Sequence, residues 1–425
     1  MFKHFLHKLK SARYYAIHQS SRRSIEDWQL ERLRTLVTHA SKHIPFYKDL
    51  STYAHLRPES LKKIGDITQL PILTKDTFRN RPFEEYIDSS RTYRGIPLGA
   101  TSGTTGKPFV FVGGTNLLNF QRFRFLLWQG ITLHNLSKIK YVYLNKATIA
   151  NPYRLSIPGM NLSAYAERTL NSIENFRPLI IESMPTILLR LVEVMKATGH
   201  MTGVRPTYIV SFGEMLSPHA RRIIEAALGA KVYDRYGIDE AGVIGIECAF
   251  HDGFHINVES IIAEVVSEDG TPLADGGYGK ILVTDLNNFH TPFIRYDTGD
   301  YGKLLWKKCR CGLESPRLWV QGRYSAYLVF GQNIIHHEEF SFLLTDFSDQ
   351  IIQYQIAKLS DALMEVRLIA TRDVTAAERE EIQSRLGKLA GEKVEIRVRR
   401  VESIPSMESG KLQTLIDESV SPEGR

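Results

Sequence analysis

Thr101 to Pro108 reads TSGTTGKP, and it follows Leu98, Gly99 and Ala100. Gly103 and Gly106 let the backbone turn with its N–H groups pointing inward, and Thr101, Ser102, Thr104 and Thr105 add hydroxyl donors. Lys107 adds a positive charge, so the segment has the composition of a loop that cradles a polyphosphate. The spacing excludes a Walker P-loop. That motif needs four residues between its glycines and a Ser or Thr after the lysine, whereas only Thr104 and Thr105 separate the glycines here and Pro108 follows. Taken alone, such a segment is equally an ordinary loop, and the rest of the chain decides.

Working outward, apolar runs on both sides of the loop predict flanking strands, with FVFV at 109 to 112 as the second. Upstream, Trp28, Leu30, Leu33, Leu36, Val37 and Ala40 recur at helical intervals behind Ser24 and Asp27, which predicts a helix over 24 to 44 ended by Pro45. Downstream, strand and helix patterns alternate: IKYVYL at 139 to 144, Pro185 to Thr198, TYIVSFG at 207 to 213, Ser217 to Leu228 and KVYDRYG at 231 to 237. The alternation predicts a layered α/β body. From about residue 255 the pattern becomes strand-rich, and the hydrophobic pattern restarts after Gly322 and Arg323 with strands and one helix, Ala376 to Leu389. The expected organisation is therefore a large N-terminal α/β domain over residues 1–322, with a strand-rich subdomain over about 245–320, and a small mobile α+β C-terminal domain over 323–425.

Composition narrows the classes. At 425 residues the chain can bury more than one core, and 43% hydrophobic with 24% charged residues is ordinary for a globular protein. A net charge of +7, to which Lys3, Lys8, Lys10, Arg13, Arg22 and Arg23 contribute, is most often a solvated basic surface, and a nucleic-acid partner, which rests on that charge alone, is not expected. The opening MFKHFLHKLKSARYYAIHQSS interleaves basic and apolar residues as a short amphipathic helix that packs on the body or touches a membrane surface. It lacks the apolar run of a secretion signal, and no segment has the length of a membrane span. Three cysteines are too few for a disulfide scaffold, so a cytoplasmic location is expected.

Further stretches carry chemistry. SFGEML places Gly213 and Glu214 at a strand end, where open α/β sheets bind ligands. YDRYGIDEAG sets Asp234, Arg235, Tyr236, Gly237, Asp239 and Glu240 together, an aromatic ring to stack on a base beside a carboxylate to hold Mg²⁺. FIRYDTGDYG puts Asp300 in a glycine turn suited to the two hydroxyls of a ribose, and PSMESGKLQ carries Lys411 on a late polar turn. The thiols form a separate constellation. Cys309 and Cys311 of CRCG lie well downstream of Cys248, which is followed by His251 and His255. Two close thiols with a distant Cys and His suit a closed tetrahedral zinc site, with His255 favoured over His251 and both spacings feasible.

In this order TSGTTGKP, SFGE, YDRYGIDEAG, RYDTGD, the pair Gly322 and Arg323, and the late SGK resemble the adenylate-forming superfamily of acyl ligases. More narrowly, ESMPTILLRLVEVM, YGIDEAGVIGIEC, CRCG and TLVTHASKHIPFYKDL followed by LPILTKDTFRN resemble the phenylacetate-CoA ligase family and its CapK-like branch. The resemblance implies that Thr101 to Lys107 hold the β and γ phosphates of ATP, and that Gly213, Glu214, Asp234, Arg235, Tyr236 and Gly237 form the adenine pocket. It further implies that Glu240 reaches Mg²⁺, Asp300 binds the ribose with Arg323 assisting, and Lys411 is carried in by the C-terminal domain. The implied reaction joins a carboxylic acid to an acceptor through an acyl-adenylate, with coenzyme A as acceptor. An amine acceptor, giving an amide in polysaccharide or secondary-metabolite assembly, and a degenerate nucleotide-binding scaffold are the alternatives. Two stretches depart from the pattern: where the superfamily usually has an acidic or lysine hinge residue and a later lysine, this chain has Ser325 at the hinge position and Val329 further on, and Asp239 replaces the threonine before Glu240.

Overall fold

The computed structural model describes residues 16–50, 53, 57–91, 98–100, 109–113, 125, 139–145, 149–151, 154–158, 166–199, 204–323, 327–331, 333–336, 340, 344, 347, 350–391, 393–405 and 414–419. The chain divides into two compact units, Met1–Ser137 with Arg235–Val320, and Lys138–Asp234 with Gln321–Arg425.

In the first unit the helix Arg22–His43 starts where the Ser21 hydroxyl accepts from the Ser24 N–H, so the cap is Ser21 and not Ser24. Its apolar stripe, Ile25, Leu30, Leu33, Leu36, Val37 and Ala40, is buried, and Gln29 on the same face donates to the carbonyls of Val258 and Ile261. The strands run in spatial order Ile261–Val266, Tyr278–Asp285, Tyr296–Leu305, Arg317–Arg323, Phe254–Ile256, Gly242–Glu247 and Lys231–Ile238, the last crossing the boundary between units. Over this sheet sits an aromatic core of Phe78, Phe109, Phe111, Phe293 and Tyr296, with Phe78 and Phe293 in edge contact at 5.4 Å.

In the second unit Tyr141–Asn145, Ile180–Ser183 and Tyr208–Phe212 pair in parallel, and the helices Ala166–Phe176, Pro185–Thr198 and Pro218–Leu228 alternate with them. Ile180–Ser183 is buried at every position, as a strand covered on both faces must be. A four-stranded sheet, in order Glu395–Arg400, Leu363–Ala370, Ile351–Ser360 and Leu415–Asp417, packs with the helix Ala376–Ala390 around Phe340, Ile356, Val366 and Ile382. The mixed α/β class and the α+β C-terminal portion are those expected from the pattern. The sequence also carries an aromatic-rich helical pattern from Leu117 to Leu133, which falls largely outside the described residues.

One local expectation is overturned. The strand opens at Tyr296, within FIRYD, and Asp300 does not sit in a turn. Phe293 and Ile294 precede the strand, Arg295 has φ of 49°, and Asp300 lies inside Tyr296–Leu305 just after Gly299 at φ of 77°. The partner strand shifts register between Lys280 and Leu282, so the glycine marks an irregularity in a ladder, which local composition does not distinguish from a turn.

Asp285 ends a strand of the same unit at 4% exposure, and burial pushes its carboxyl up to about 7, against the pull of the Asn287 and Asn288 N–H groups and Arg32. A folded-state pKa above the unfolded value means that the folded chain keeps a proton the unfolded chain has released. The group therefore lowers stability progressively as pH rises from about 4 to about 7. Asp285→Asn, which can still accept from the Asn287 N–H, is expected to raise the melting temperature at pH 8 and to leave it nearly unchanged at pH 4. An equal shift at both pH values in calorimetry would refute this.

Candidate nucleotide-site residues and a candidate metal centre

The segment Thr101 to Pro108 lies outside the described residues, but its two ends do not. Leu98–Ala100 and Val110–Val112 form an antiparallel pair with Leu98 opposite Val112, so the chain leaves and returns side by side. The return strand is tied down, with the Val112 N–H donating to the Thr291 hydroxyl at 3.1 Å and the Val112 carbonyl accepting from the Asn288 amide at 3.1 Å.

In the second unit Gly213 follows Tyr208–Phe212 at φ of 80°, a conformation that favours glycine, and turns the chain so that Glu214 faces the start of Pro185–Thr198. There the Glu214 carboxylate accepts from the Thr186 N–H at 3.1 Å and from the Thr186 hydroxyl at 2.5 Å. Asp234 is buried and accepts from the Ser211 hydroxyl.

In the first unit the stretches 233–242 and 293–302 meet reciprocally. The Tyr236 hydroxyl donates to Asp300 Oδ2 at 2.6 Å, and the Tyr296 hydroxyl donates to Glu240 Oε1 at 2.9 Å. Each stretch thus supplies one tyrosine and one carboxylate. Gly237 has no room for a side chain, since a Cβ there would lie 2.4 Å from the Gly242 carbonyl oxygen. Glu240 is 9% and Asp300 5% exposed, and among the described residues no Lys, Arg or His forms an ion pair with Glu240. Buried carboxylates without cations are costly, and a bound cation or polyhydroxyl ligand removes that cost. Asp239 is exposed. Arg323 closes the strand Arg317–Arg323, while Lys411 lies outside the described residues. Sequence reading singled out the carboxylates but missed Tyr296, Thr186 and Ser211. Tyr296 stood inside a quoted motif, and the signal was its place one residue after the positively charged Arg295 in an apolar run.

Apart from these residues, Cys248, His255, Cys309 and Cys311 gather so that one donor atom from each lies within 4.8 Å of the others. Cys248 follows Gly242–Glu247, His255 lies in Phe254–Ile256, and the pairing of Phe254 with both Glu247 and Leu318 brings the thiol loop alongside. The Cys248 and Cys309 sulfurs are 3.7 Å apart, too far for a disulfide, and Cys311 Sγ is 3.4 Å from His255 Nε2. A metal bound to thiolate at about 2.3 Å in a tetrahedron separates two sulfurs by about 3.8 Å, so the spacing fits a four-coordinate ion. His255 Nδ1 meets the Ser315 hydroxyl at 3.1 Å, which turns Nε2 toward the thiols. His251 stands apart and bonds Glu247 Oε2 through Nδ1 at 3.0 Å. With protons in place of a cation the thiols are unequal. The bond with Cys311 and burial push the Cys248 thiol up to about 12, and the bond from Cys248 holds Cys311 below the ordinary thiol range. A divalent ion displaces such shared protons.

Comparison with known proteins places this geometry. The CapK C-terminal domain family matches residues 330–418. A phenylacetate-coenzyme A ligase of Escherichia coli is 29% identical over 329 residues, covering 72% of this chain and 73% of that protein. One from Thermus thermophilus is 25% identical over 439 residues, covering 93% and 97%. Among solved structures, a 2-hydroxyisobutyryl-CoA ligase in the postadenylation state superposes with a TM-score of 0.76 at 21% identity, covering 96% of this chain and 92% of that one, which establishes the shared fold.

Proposed function

We propose that this chain, similar to phenylacetate-coenzyme A ligases over most of its length and matched by the CapK C-terminal domain family, belongs to that branch of the adenylate-forming superfamily and is an ATP-dependent, AMP-forming acid–CoA ligase. The observation that carries the reading is the reciprocal pairing of Tyr236 with Asp300 and of Tyr296 with Glu240. It brings two motifs more than fifty residues apart into one arrangement of buried carboxylates that a nucleotide and its cation would complete.

In the first half-reaction a carboxylate oxygen of the acid attacks the α-phosphorus of ATP, the bond to the bridging oxygen breaks, and pyrophosphate leaves with the acyl-adenylate remaining. Negative charge grows on the phosphate oxygens, so preorganised positive potential lowers the barrier. Lys107 and the N–H and hydroxyl donors of Thr101 to Gly106 grip the leaving pyrophosphate, and Lys411 neutralises the developing charge. Gly213, Glu214, Asp234, Arg235, Tyr236 and Gly237 bound the adenine, and Asp300 with Arg323 holds the ribose. Mg²⁺, when bound at Glu240, supplies further charge neutralisation. In the second half-reaction the coenzyme A thiolate attacks the acyl carbonyl and AMP departs, the thiol proton passing to solvent. The domain rotation between steps would turn near Gly322 and Arg323. Cys248, His255, Cys309 and Cys311 would hold a structural zinc that stays out of the chemistry, and a cytoplasmic location suits a reaction that consumes ATP and coenzyme A. Among the described residues no helix is long and apolar enough to cross a membrane.

Pyrophosphate release measured with a panel of aryl, fatty and hydroxy acids tests the reading, followed by addition of coenzyme A or of amines. Acid-dependent release with a thioester product is expected. An amide product would transfer the reading to amide ligation, and ATP binding with no release on any acid would favour a scaffold.

A further inference from the structure

Tyr296 is held more firmly than a tyrosine that only fills space. Its ring is 2% exposed, 5.1 Å from Phe293 and 6.1 Å from Phe78, and its hydroxyl is spent on Glu240. The preceding residue, Arg295, adopts φ of 49°, which costs a non-glycine residue about 1 kcal/mol or more and persists only where surroundings enforce it. Those surroundings are explicit. Arg295 Nε donates to both Glu264 oxygens at 3.1 and 3.2 Å, Nη2 lies 3.0 Å from Oε1, and Nη1 donates to the Leu70 carbonyl at 2.7 Å. Its own N–H donates to the Thr284 hydroxyl at 2.9 Å. On either side of Tyr296, the Arg295 carbonyl accepts from the Leu73 N–H at 3.0 Å and the Asp297 N–H donates to the Leu73 carbonyl at 2.8 Å. The backbone is thereby fixed at the residue that aims the phenol.

The aim matters because of what it leaves. The phenol occupies Oε1 of Glu240, and among the described residues Oε2 has no hydrogen-bond or ion-pair partner. A carboxylate with one oxygen anchored and the other turned out loses less rotational freedom on taking a cation than a free one.

We propose that Tyr296, locked by the left-handed Arg295 and its Glu264 clamp, is a positioning residue that fixes Glu240 to present one oxygen to the divalent cation of adenylation. The inference rests on the ligase reading for its reaction, but not for its metal. Tyr296→Phe keeps the ring among Phe78 and Phe293 and removes only the hydroxyl. It is expected to raise the Mg²⁺ concentration for half-maximal pyrophosphate release by about threefold to tenfold, the range one net hydrogen bond supports, with KM for ATP at saturating Mg²⁺ unchanged. Binding of Mn²⁺ in the presence of a non-hydrolysable ATP analogue, followed by electron paramagnetic resonance, is expected to weaken by the same factor and to be lost in Glu240→Gln. If wild-type protein releases no pyrophosphate with any acid, the Mn²⁺ measurement still decides: weakening in Tyr296→Phe supports the positioning role while the ligase reading fails. A variant that melts earlier but shows unaltered Mg²⁺ dependence and Mn²⁺ affinity, or one unaltered in every respect, overturns the proposal.

Discussion

Cys309→Ser is expected to empty a zinc site and to lower the first thermal transition by on the order of 10 °C, roughly the effect of 4 kcal/mol on a unit of this size. The wild-type protein, purified without added metal, should carry one zinc per chain by elemental analysis. The size of the effect follows from where the ligands sit. Cys248 follows one of two paired strands and His255 lies in the other, while Cys309 and Cys311 belong to a loop whose exit strand pairs with the same His-bearing strand, so one ion would join three chain segments. Cys309 is 4% and His255 0% exposed, so the loss leaves buried polar groups in place of bonds to a cation. The loop is also a platform. The His18 carbonyl accepts from the Glu314 N–H at 2.8 Å and the Ser315 N–H at 3.3 Å, and the His18 ring meets Glu259 Oε2 at 2.8 Å, so a loosened loop frees the segment before the long helix as well. Absence of metal in the wild type, or a variant that melts with it, would remove the zinc assignment.

How much of this was legible in the sequence depends on whether the information is local. Periodicity placed Pro185–Thr198 and Tyr208–Phe212 well because an amphipathic or buried pattern is written in consecutive residues. It failed at FIRYD, where Arg295 takes a left-handed backbone because Glu264, Leu70 and Leu73 hold it, partners that are distant in sequence. For the same reason Asp300 was read as a turn residue although it lies in a strand. The choice of His255 over His251 needed pairing of Phe254 with Glu247, which spacing alone does not state. The carboxylates of the candidate site could be picked out by residue type. Their hydroxyl partners could not, since tyrosine and threonine are common and only the fold shows that Tyr296 meets Glu240 and Thr186 meets Glu214.

Lys411→Ala is expected to slow acyl-adenylate formation by about 10²-fold or more, the usual effect of deleting one donor that meets charge as it develops. The same variant, given preformed acyl-adenylate and coenzyme A, is expected to make thioester within about threefold of wild type, because the role assigned to this lysine belongs to the first half-reaction and the charge that grows on departing AMP in the second must be met by other groups. The split is the informative quantity. The late SGK motif belongs to the C-terminal portion that the CapK domain family matches, and the proposed role has that portion carry Lys411 in for the first half-reaction only. A lysine that merely stabilised the C-terminal sheet would depress both steps together. Equal loss in both, or undiminished adenylation, would therefore sink the assigned role. The outcome also bears on Ser325 at the hinge position and Val329 further on, which depart from the superfamily pattern. If the thioester step from preformed adenylate is efficient in the wild type, an acidic or lysine hinge residue is not required for the rotation.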